Sequence, residues 1–451
     1  MTTDGEAAPG RVGPVGPSSP SNTHEARWMS LAHRAVGAGV VVRLVYGVIL
    51  HPPLYHITGD ASGYVQRAER LAGTRTLPRG DFFMPLGTQL LISLPMRLFG
   101  TGKVGLWAAS LLWCALSCAF PWLAWKWAAT LLSPRAAAYT AVGCALSPLA
   151  ILYGGYFGSE LPAIVLLPLV LWLAARCVST PSSKRFAMAL TTGGATVVLL
   201  LVRQQFVLNV AIALAPLIGM ARRQSARVAS VLGGLVAGAA LVLVVVVFAG
   251  APPGRVSGGL PPLTGQNGGL NFYYGHCDAR LLSTHDFFFE SPVRVQTHTG
   301  RDVRLPARLA SQQAWFYRQG WDCLRRDPGR AAVIGLRSMV DMTATSIPFP
   351  PWTEPGAPLV VAELANAAFC LGLLLLVVAA VARRWWRRDA AVGALLAHLA
   401  CAFAVAVVYL GEPRYRVPYD LFGWALLGWW LAGRTGRDDA PARPAARPLA
   451  Q

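Results

Sequence analysis

Four polar clusters interrupt an otherwise apolar chain, and their residue types suit proton and phosphate chemistry. Asp60 lies in HITGDASGYVQRAERLAG, where Ser62 and Gly63 are turn formers and Tyr64, Ala68 and Leu71 recur at helical spacing. An Asp at such a helix start serves either as an N-cap or as a catalytic carboxylate, and this segment alone supports both readings. Glu160 heads the apolar run ELPAIVLLPL, with Ser159 beside it as an alternative cap. Arg203-Gln204-Gln205 breaks a long apolar stretch, where an Arg is costly unless it snorkels or is paired. In EPRYRVP, Arg414, Tyr415 and Arg416 stand between two apolar runs, a set able to hold a phosphate through charge-assisted bonds. Acids beside cations at a water–lipid boundary suit transfer of a group from a lipid phosphate. The carboxylate takes a proton from an acceptor hydroxyl while the Arg groups stabilise the departing phosphate.

A fifth polar region is GQNGGLNFYYGHCDARLL, with Asn267, Asn271, Tyr274 and His276. Its composition suits hydrogen bonding and stacking on a sugar, and equally a tyrosine-rich loop anchored at headgroups. His276, His285 and His298 are spaced irregularly, as ordinary loop histidines are, and Cys114 and Cys118 have no His or carboxylate beside them to complete a metal site. Cys277 and Cys323 are the two cysteines of the segment 250–357, where an oxidising compartment permits a disulfide.

The elements that must position these residues are membrane helices. The 451 residues are 54% hydrophobic and 14% charged, too few charges for the surface of a soluble enzyme. A net charge of +19 ordinarily prompts a nucleic-acid reading. Here all but three of the 40 basic residues are Arg spread between apolar runs, which reads as membrane topology. About ten stretches approach the ~20 residues needed to span: 30–50, 104–131, 136–154, 161–178, 186–203, 204–221, 228–249, 358–382, 391–410 and 418–433. Lacking barrel alternation, they predict an all-α polytopic bundle.

Alternate connections carry Arg135, Lys184 with Arg185, Arg222 with Arg223 and Arg227, the Arg383–Arg388 cluster, and Arg434. The positive-inside rule places these and both termini in the cytoplasm, and the polar clusters outside. The expected organisation is a disordered tail (1–29), an N-terminal membrane module (30–249) whose first external loop (51–103) is catalytic, a large extracytoplasmic loop (250–357), C-terminal helices (358–433) and a second tail (434–451). Residues 84–100, broken by Pro85 and Pro95, read as an interfacial or re-entrant helix, because an eleventh span would invert the later Arg clusters. Residues 331–347 are assigned to the outer interface.

The order of first span, GDASGYVQRAERLAG, FFMPLGTQLLISLPMRLFG, YFGSELPAIVLL, LLVRQQFVL and EPRYRVP resembles the GT-C glycosyltransferases, with protein O-mannosyltransferases and lipid A aminoarabinose transferases the nearest in pattern. The resemblance implies a GT-C-like bundle with interfacial helices in the first external loop and a mixed exported loop. It further implies a polyprenyl-phosphate sugar donor, an envelope acceptor hydroxyl and inversion at the anomeric carbon. By the same resemblance Asp60 is the catalytic acid and Glu160 a second one. Ala61 follows Asp60, so the paired acids of the mannosyltransferases are missing, and Asp81, at the other end of the loop, is the alternative second carboxylate. The expected donor-phosphate site is Arg203, Arg414, Tyr415 and Arg416, with Tyr64, Gln204, Asn267, Asn271, Tyr274 and His276 toward substrate. No metal is required, although a divalent cation between Asp60 and Glu160 stays open because hard cations favour carboxylates. A transporter or flippase of a lipid-linked sugar is the rival reading; it needs no acid fixed just after the first span.

Overall fold

The computed structural model describes residues 20–73, 84–221, 225–247, 267–277, 279–281, 292–297, 302–308, 312–344 and 357–434. Asp81 lies outside the described residues. Helix α1 (Pro20–Leu44) continues through a wider π turn, Val45–Leu50, and leads to the amphipathic α2 (Asp60–Ala72). In α2, Ala61, Tyr64, Val65, Ala68 and Leu71 form one buried stripe while Gln66 is exposed, so this helix lies against the bundle. Next come α3 (Leu86–Phe99), α4 (Lys103–Leu131), α5 (Pro134–Leu146) and α6 (Pro148–Leu152). They are followed by α7 (Glu160–Ser179), α8 (Ser182–Val202), α9 (Val207–Ala221) and α10 (Ser225–Val245).

The segment after α10 adds α11 (Gly268–His276), then strands β1 (Ala279–Leu281), β2 (Pro292–Thr297) and β3 (Asp302–Arg308) in an antiparallel sheet of order β1-β2-β3. Ala279 faces Thr297 and Val295 faces Val303. Helices α12 (Gln313–Arg326) and α13 (Pro328–Met342) return the chain to the bundle. The bundle closes with α14 (Ala357–Ala382), α15 (Trp385–Arg388), α16 (Ala390–Val408), α17 (Pro413–Arg416) and α18 (Asp420–Arg434).

Among the described residues, seven helices are long and apolar enough to cross a membrane, and an eighth if α5 and α6, bent by 51° at their junction, count as one span. The expected count of about ten is not confirmed by this number. All ten predicted stretches are helical, but α9 and α18 have 15 residues each, about 22 Å of rise against a core of about 30 Å. Helix α3, with 14 residues, is shorter still, and α13 has 15. The protein is a multi-pass membrane protein.

The core runs the length of the bundle, with Trp113, Tyr153, Tyr156, Phe157, Phe206, Tyr419 and Phe422 among its largest fully buried side chains. Glycines set two approaches that matter to the site. A Cβ on Gly87 of α3 would lie 2.7 Å from the backbone of Leu201 and Val202, so α3 sits directly on the end of α8. One on Gly411 would collide with the Ser338 carbonyl, which locks α13 against the turn after α16.

Candidate active site

The start of α2, the turn before α7, the turn after α8 and the α16–α18 connection meet in one place. Gly59 makes the first of these possible: its φ of +52° is a conformation L side chains rarely adopt, and it delivers the chain into α2 with Asp60 as the first helical residue. The Asp60 carboxylate then receives Nη1 of Arg414 at 2.7 Å, although 354 residues separate them. Arg414 also pairs through Nε with Glu412 at 2.6 Å. Burial alone would weaken the hold of Arg414 on its proton, but Glu412, Tyr415 and Asp60 together raise it well above the ordinary value, so the guanidinium stays charged.

A second ion pair lies deeper. Glu160, at the head of α7, pairs with Nη2 of Arg203, and both side chains are less than a tenth exposed. Gly158 leaves room for this carboxylate: a Cβ there would lie 2.4 Å from Glu160 Oε2. Arg203 Nε donates to Ser159 Oγ at 3.0 Å, while Nη1 is buried with no hydrogen-bond partner. Tyr415 joins the two pairs, because the guanidinium carbons of Arg203 and Arg414 lie 5.2 and 5.0 Å from its ring centroid. Gln205 supports it from below, donating to the Tyr415 carbonyl at 3.4 Å.

Two tyrosines fasten the first loop to this network. Tyr64, one turn after Asp60, hydrogen-bonds Ser159, and burial together with the nearby Asp60 and Glu160 keeps its phenol protonated. Tyr156 straddles Asp60: its hydroxyl accepts from the Ala61 amide at 3.0 Å and donates to the Thr58 carbonyl at 2.9 Å. Its own carbonyl is held by Trp113 Nε1 at 2.9 Å.

The structure thus brings Asp60, Glu160, Arg203, Arg414, Tyr415 and Tyr64 together. Arg416 is placed elsewhere: it is buried, paired with Asp420 at 2.8 Å and bonded to Asn366 and to the Met342 carbonyl at 3.3 Å. Gln204 is exposed beside the start of α11, where a Cβ on Gly268 would lie 3.7 Å from its Nε2. Helix α11 then runs across this end to Gly275, which packs on the Tyr409 carbonyl after α16. Gln313 of α12 caps α11 by accepting from the Gly269 and Leu270 amides at 2.8 and 3.2 Å. The Asn267 carbonyl is used in the first turn of α11, accepting from the Asn271 amide at 3.0 Å. His276 is half-buried, stacked on Phe272 with Nδ1 on the Phe272 carbonyl, whereas the Tyr274 hydroxyl is buried with no hydrogen-bond partner. Cys277 and Cys323 form a disulfide that ties the end of α11 to α12.

Glu412 and Tyr156 are not singled out by the sequence, and Ser159 only as an alternative helix cap; their part in the network depends on contacts across the fold. Among the described residues no group of three His, Cys, Asp or Glu converges as a metal-holding set, and Asp60 and Glu160 each face a guanidinium.

No family model matches the chain, and no curated protein matches it in sequence. Among solved structures it is similar to the oligosaccharyltransferase of Archaeoglobus fulgidus tethered with an acceptor peptide containing the NVT sequon, with a TM-score of 0.51 and 15% identity over 92% of this chain and 50% of that one. The same archaeal enzyme, AglB, in complex with an inhibitory peptide and a dolichol-phosphate matches with a TM-score of 0.48 and 13% identity, over 91% of this chain and 50% of that one. ArnT from Cupriavidus metallidurans in the apo state matches with a TM-score of 0.34 and 16% identity, over 92% and 78%. The chain spans about half the length of the oligosaccharyltransferase. The likeness at TM-score 0.51 shows the fold, a polytopic helical bundle shared with the archaeal oligosaccharyltransferase.

Proposed function

We propose that the chain is an integral membrane glycosyltransferase that moves a sugar from a polyprenyl-phosphate donor to an envelope acceptor hydroxyl on the extracytoplasmic face, by a single inverting displacement. The observation that carries this reading is the half-open Asp60–Arg414 pair, joined through Tyr415 to the buried Glu160–Arg203 pair. One acid and one cation within 3 Å at the helix ends supply a base for the acceptor and a counter-charge for the leaving group.

In the reaction the acceptor oxygen forms a bond to the anomeric carbon as the bond from that carbon to the phosphate oxygen breaks. The acceptor proton passes to Asp60, and the electron pair of the broken bond leaves on the polyprenyl phosphate, whose charge Arg414 receives. Arg414 is occupied by Asp60 and Glu412 in the unliganded chain. A phosphate that takes Arg414 therefore releases the Asp60 carboxylate and leaves its oxygens free to receive the acceptor proton. Donor binding and base activation become one event.

Arg203 contributes by holding Tyr415 and Glu160 rather than by meeting the phosphate, since it is buried and paired. Arg416, committed to Asp420 and Asn366, drops out of the phosphate site. Gln204 and the start of α11 lie next to each other beside Arg203, where an acceptor would approach in this reading. The test is transfer by purified protein in liposomes from a synthetic polyprenyl-phosphate sugar. Wild type should transfer and Asp60→Asn should not; full transfer by the variant overturns the assignment of the base, and transport without transfer restores the flippase reading.

A further inference from the structure

Arg43 lies inside the first span, is 1% exposed, and has no ion pair among the described residues. An Arg in such a place must find other compensation. It finds backbone: Nη2 donates to the Cys144 carbonyl at 2.9 Å and Nη1 to the Ala145 carbonyl at 2.6 Å and the Gly39 carbonyl at 3.2 Å. Gly39 permits the approach, because an ideal Cβ there would lie 2.9 Å from the Ala145 Cβ.

The Cys144 and Ala145 carbonyls belong to the last turn of α5, next to the 51° break before α6. In an unbroken helix the amide of residue 148 would donate to the carbonyl of residue 144. Residue 148 is proline, which has no N–H, so Cys144 loses that donor, and Ser147 at the bend separates Ala145 from the next turn. The Arg43 guanidinium supplies both missing donors and places a cation at the negative end of α5. Beyond the break, α6 and the turn Tyr153–Gly155 deliver Tyr156 to Thr58 and Ala61, and then Ser159 and Glu160 to Arg203.

We propose that Arg43 is a positioning residue: a buried guanidinium clamp that holds the α5–α6 break open at its angle and thereby sets the registry of Asp60 against Glu160 and Arg414. The proposal rests on the glycosyltransferase reading for its activity arm only.

The experiment compares wild type, Arg43→Met, Arg43→Lys, Pro148→Ala and the double variant Arg43→Met/Pro148→Ala, each purified in detergent, by thermal unfolding and by kcat and KM for the polyprenyl-phosphate sugar. Arg43→Met should lower the unfolding temperature and cut kcat by about 10²-fold, the scale of a misplacement near 1 Å, with KM changed far less. Arg43→Lys, which still donates to the carbonyls, should recover part of kcat. In the double variant the backbone amide restored at position 148 closes onto the Cys144 carbonyl and the helix straightens; stability should return while kcat stays low. Wild-type kcat in Arg43→Met, or recovery of kcat together with stability in the double variant, overturns the positioning role. If wild type transfers no sugar, the function falls separately, and the clamp is judged by unfolding alone: a double variant no more stable than Arg43→Met overturns it.

Discussion

The Asp60 carboxylate and the Arg414 guanidinium hold each other at 2.7 Å across 354 residues of chain, and in the proposed reaction substrate parts them. A carboxylate whose oxygen is held by a guanidinium cannot also reach an acceptor hydroxyl with that oxygen, so the unliganded geometry is a latched one. Asp60→Asn removes both the base and the competitor for Arg414. Transfer should fall by at least about 10²-fold, the scale of losing general-base catalysis, while a sugar-free polyprenyl monophosphate binds as tightly as to wild type or tighter. Isothermal titration alongside the transfer assay separates the two effects. Weaker phosphate binding in the variant would show that Asp60 does not compete for Arg414.

The Glu160–Arg203 pair is a different kind of object. Both side chains are out of water, so removing one partner leaves a buried charge uncompensated, at a cost of about 3–5 kcal/mol. Glu160→Gln should therefore lower thermal stability strongly, and Glu160→Gln/Arg203→Met should recover most of it, since the double variant buries no unpaired charge. Additive losses across the four proteins would place Glu160 and Arg203 in separate roles. Activity is expected to stay low in the double variant, because Tyr415 loses one of the two guanidinium groups that flank its ring.

Composition and Arg placement made the bundle legible: every predicted stretch is largely helical over its described residues, and the polar interruptions at Asp60, Glu160, Arg203 and Arg414 converge. Apolar length is a local property, so the sequence carries it. Length in the folded bundle is not: α9 and α18 begin only after short 3-10 turns, Gln204–Phe206 and Val417–Tyr419, that consume part of the apolar run. The two Arg of EPRYRVP looked equivalent, yet they stand two apart on α17, a spacing that sends side chains to different sides of a helix. Arg414 reaches Asp60 and Arg416 turns to Asp420. Arg43 gave no signal, because its partners are carbonyls exposed by a proline 105 positions away in the chain, and a carbonyl has no letter in a sequence.

The Cys277–Cys323 disulfide carries a prediction about topology as well as stability. It closes a loop of 46 residues, for which the chain-entropy estimate is about 4 kcal/mol. If this segment faces an oxidising compartment, a membrane-impermeant maleimide should label Cys277 and Cys323 in intact cells only after treatment with an impermeant reductant. The double variant Cys277→Ser/Cys323→Ser should be labelled under neither condition and should unfold earlier. Labelling that requires permeabilised cells would place the α11–α12 module, and the candidate site beside it, on the cytoplasmic side.

The first loop also carries a proton-sensitive joint. His56 stacks on His51 with ring centroids 3.4 Å apart, and His51 Nδ1 lies 3.0 Å from the Gly155 carbonyl, just before the Tyr156 that straddles Asp60. Tyr46 covers the other side of His51 at 5.4 Å. Burial pushes the His56 imidazole below its ordinary value of 6.5. The folded loop therefore favours the neutral ring, and the unfolded chain binds the extra proton first. The stability it contributes is present above pH 6.5 and is lost as the pH falls below that value. Hydrogen exchange of residues 52–62 should quicken on acidification through this window, ahead of the rest of the bundle. His56→Phe, which keeps a stacking ring and removes one of the two stacked imidazoles, should weaken that dependence; an unchanged pH profile in the variant would assign the effect to another group.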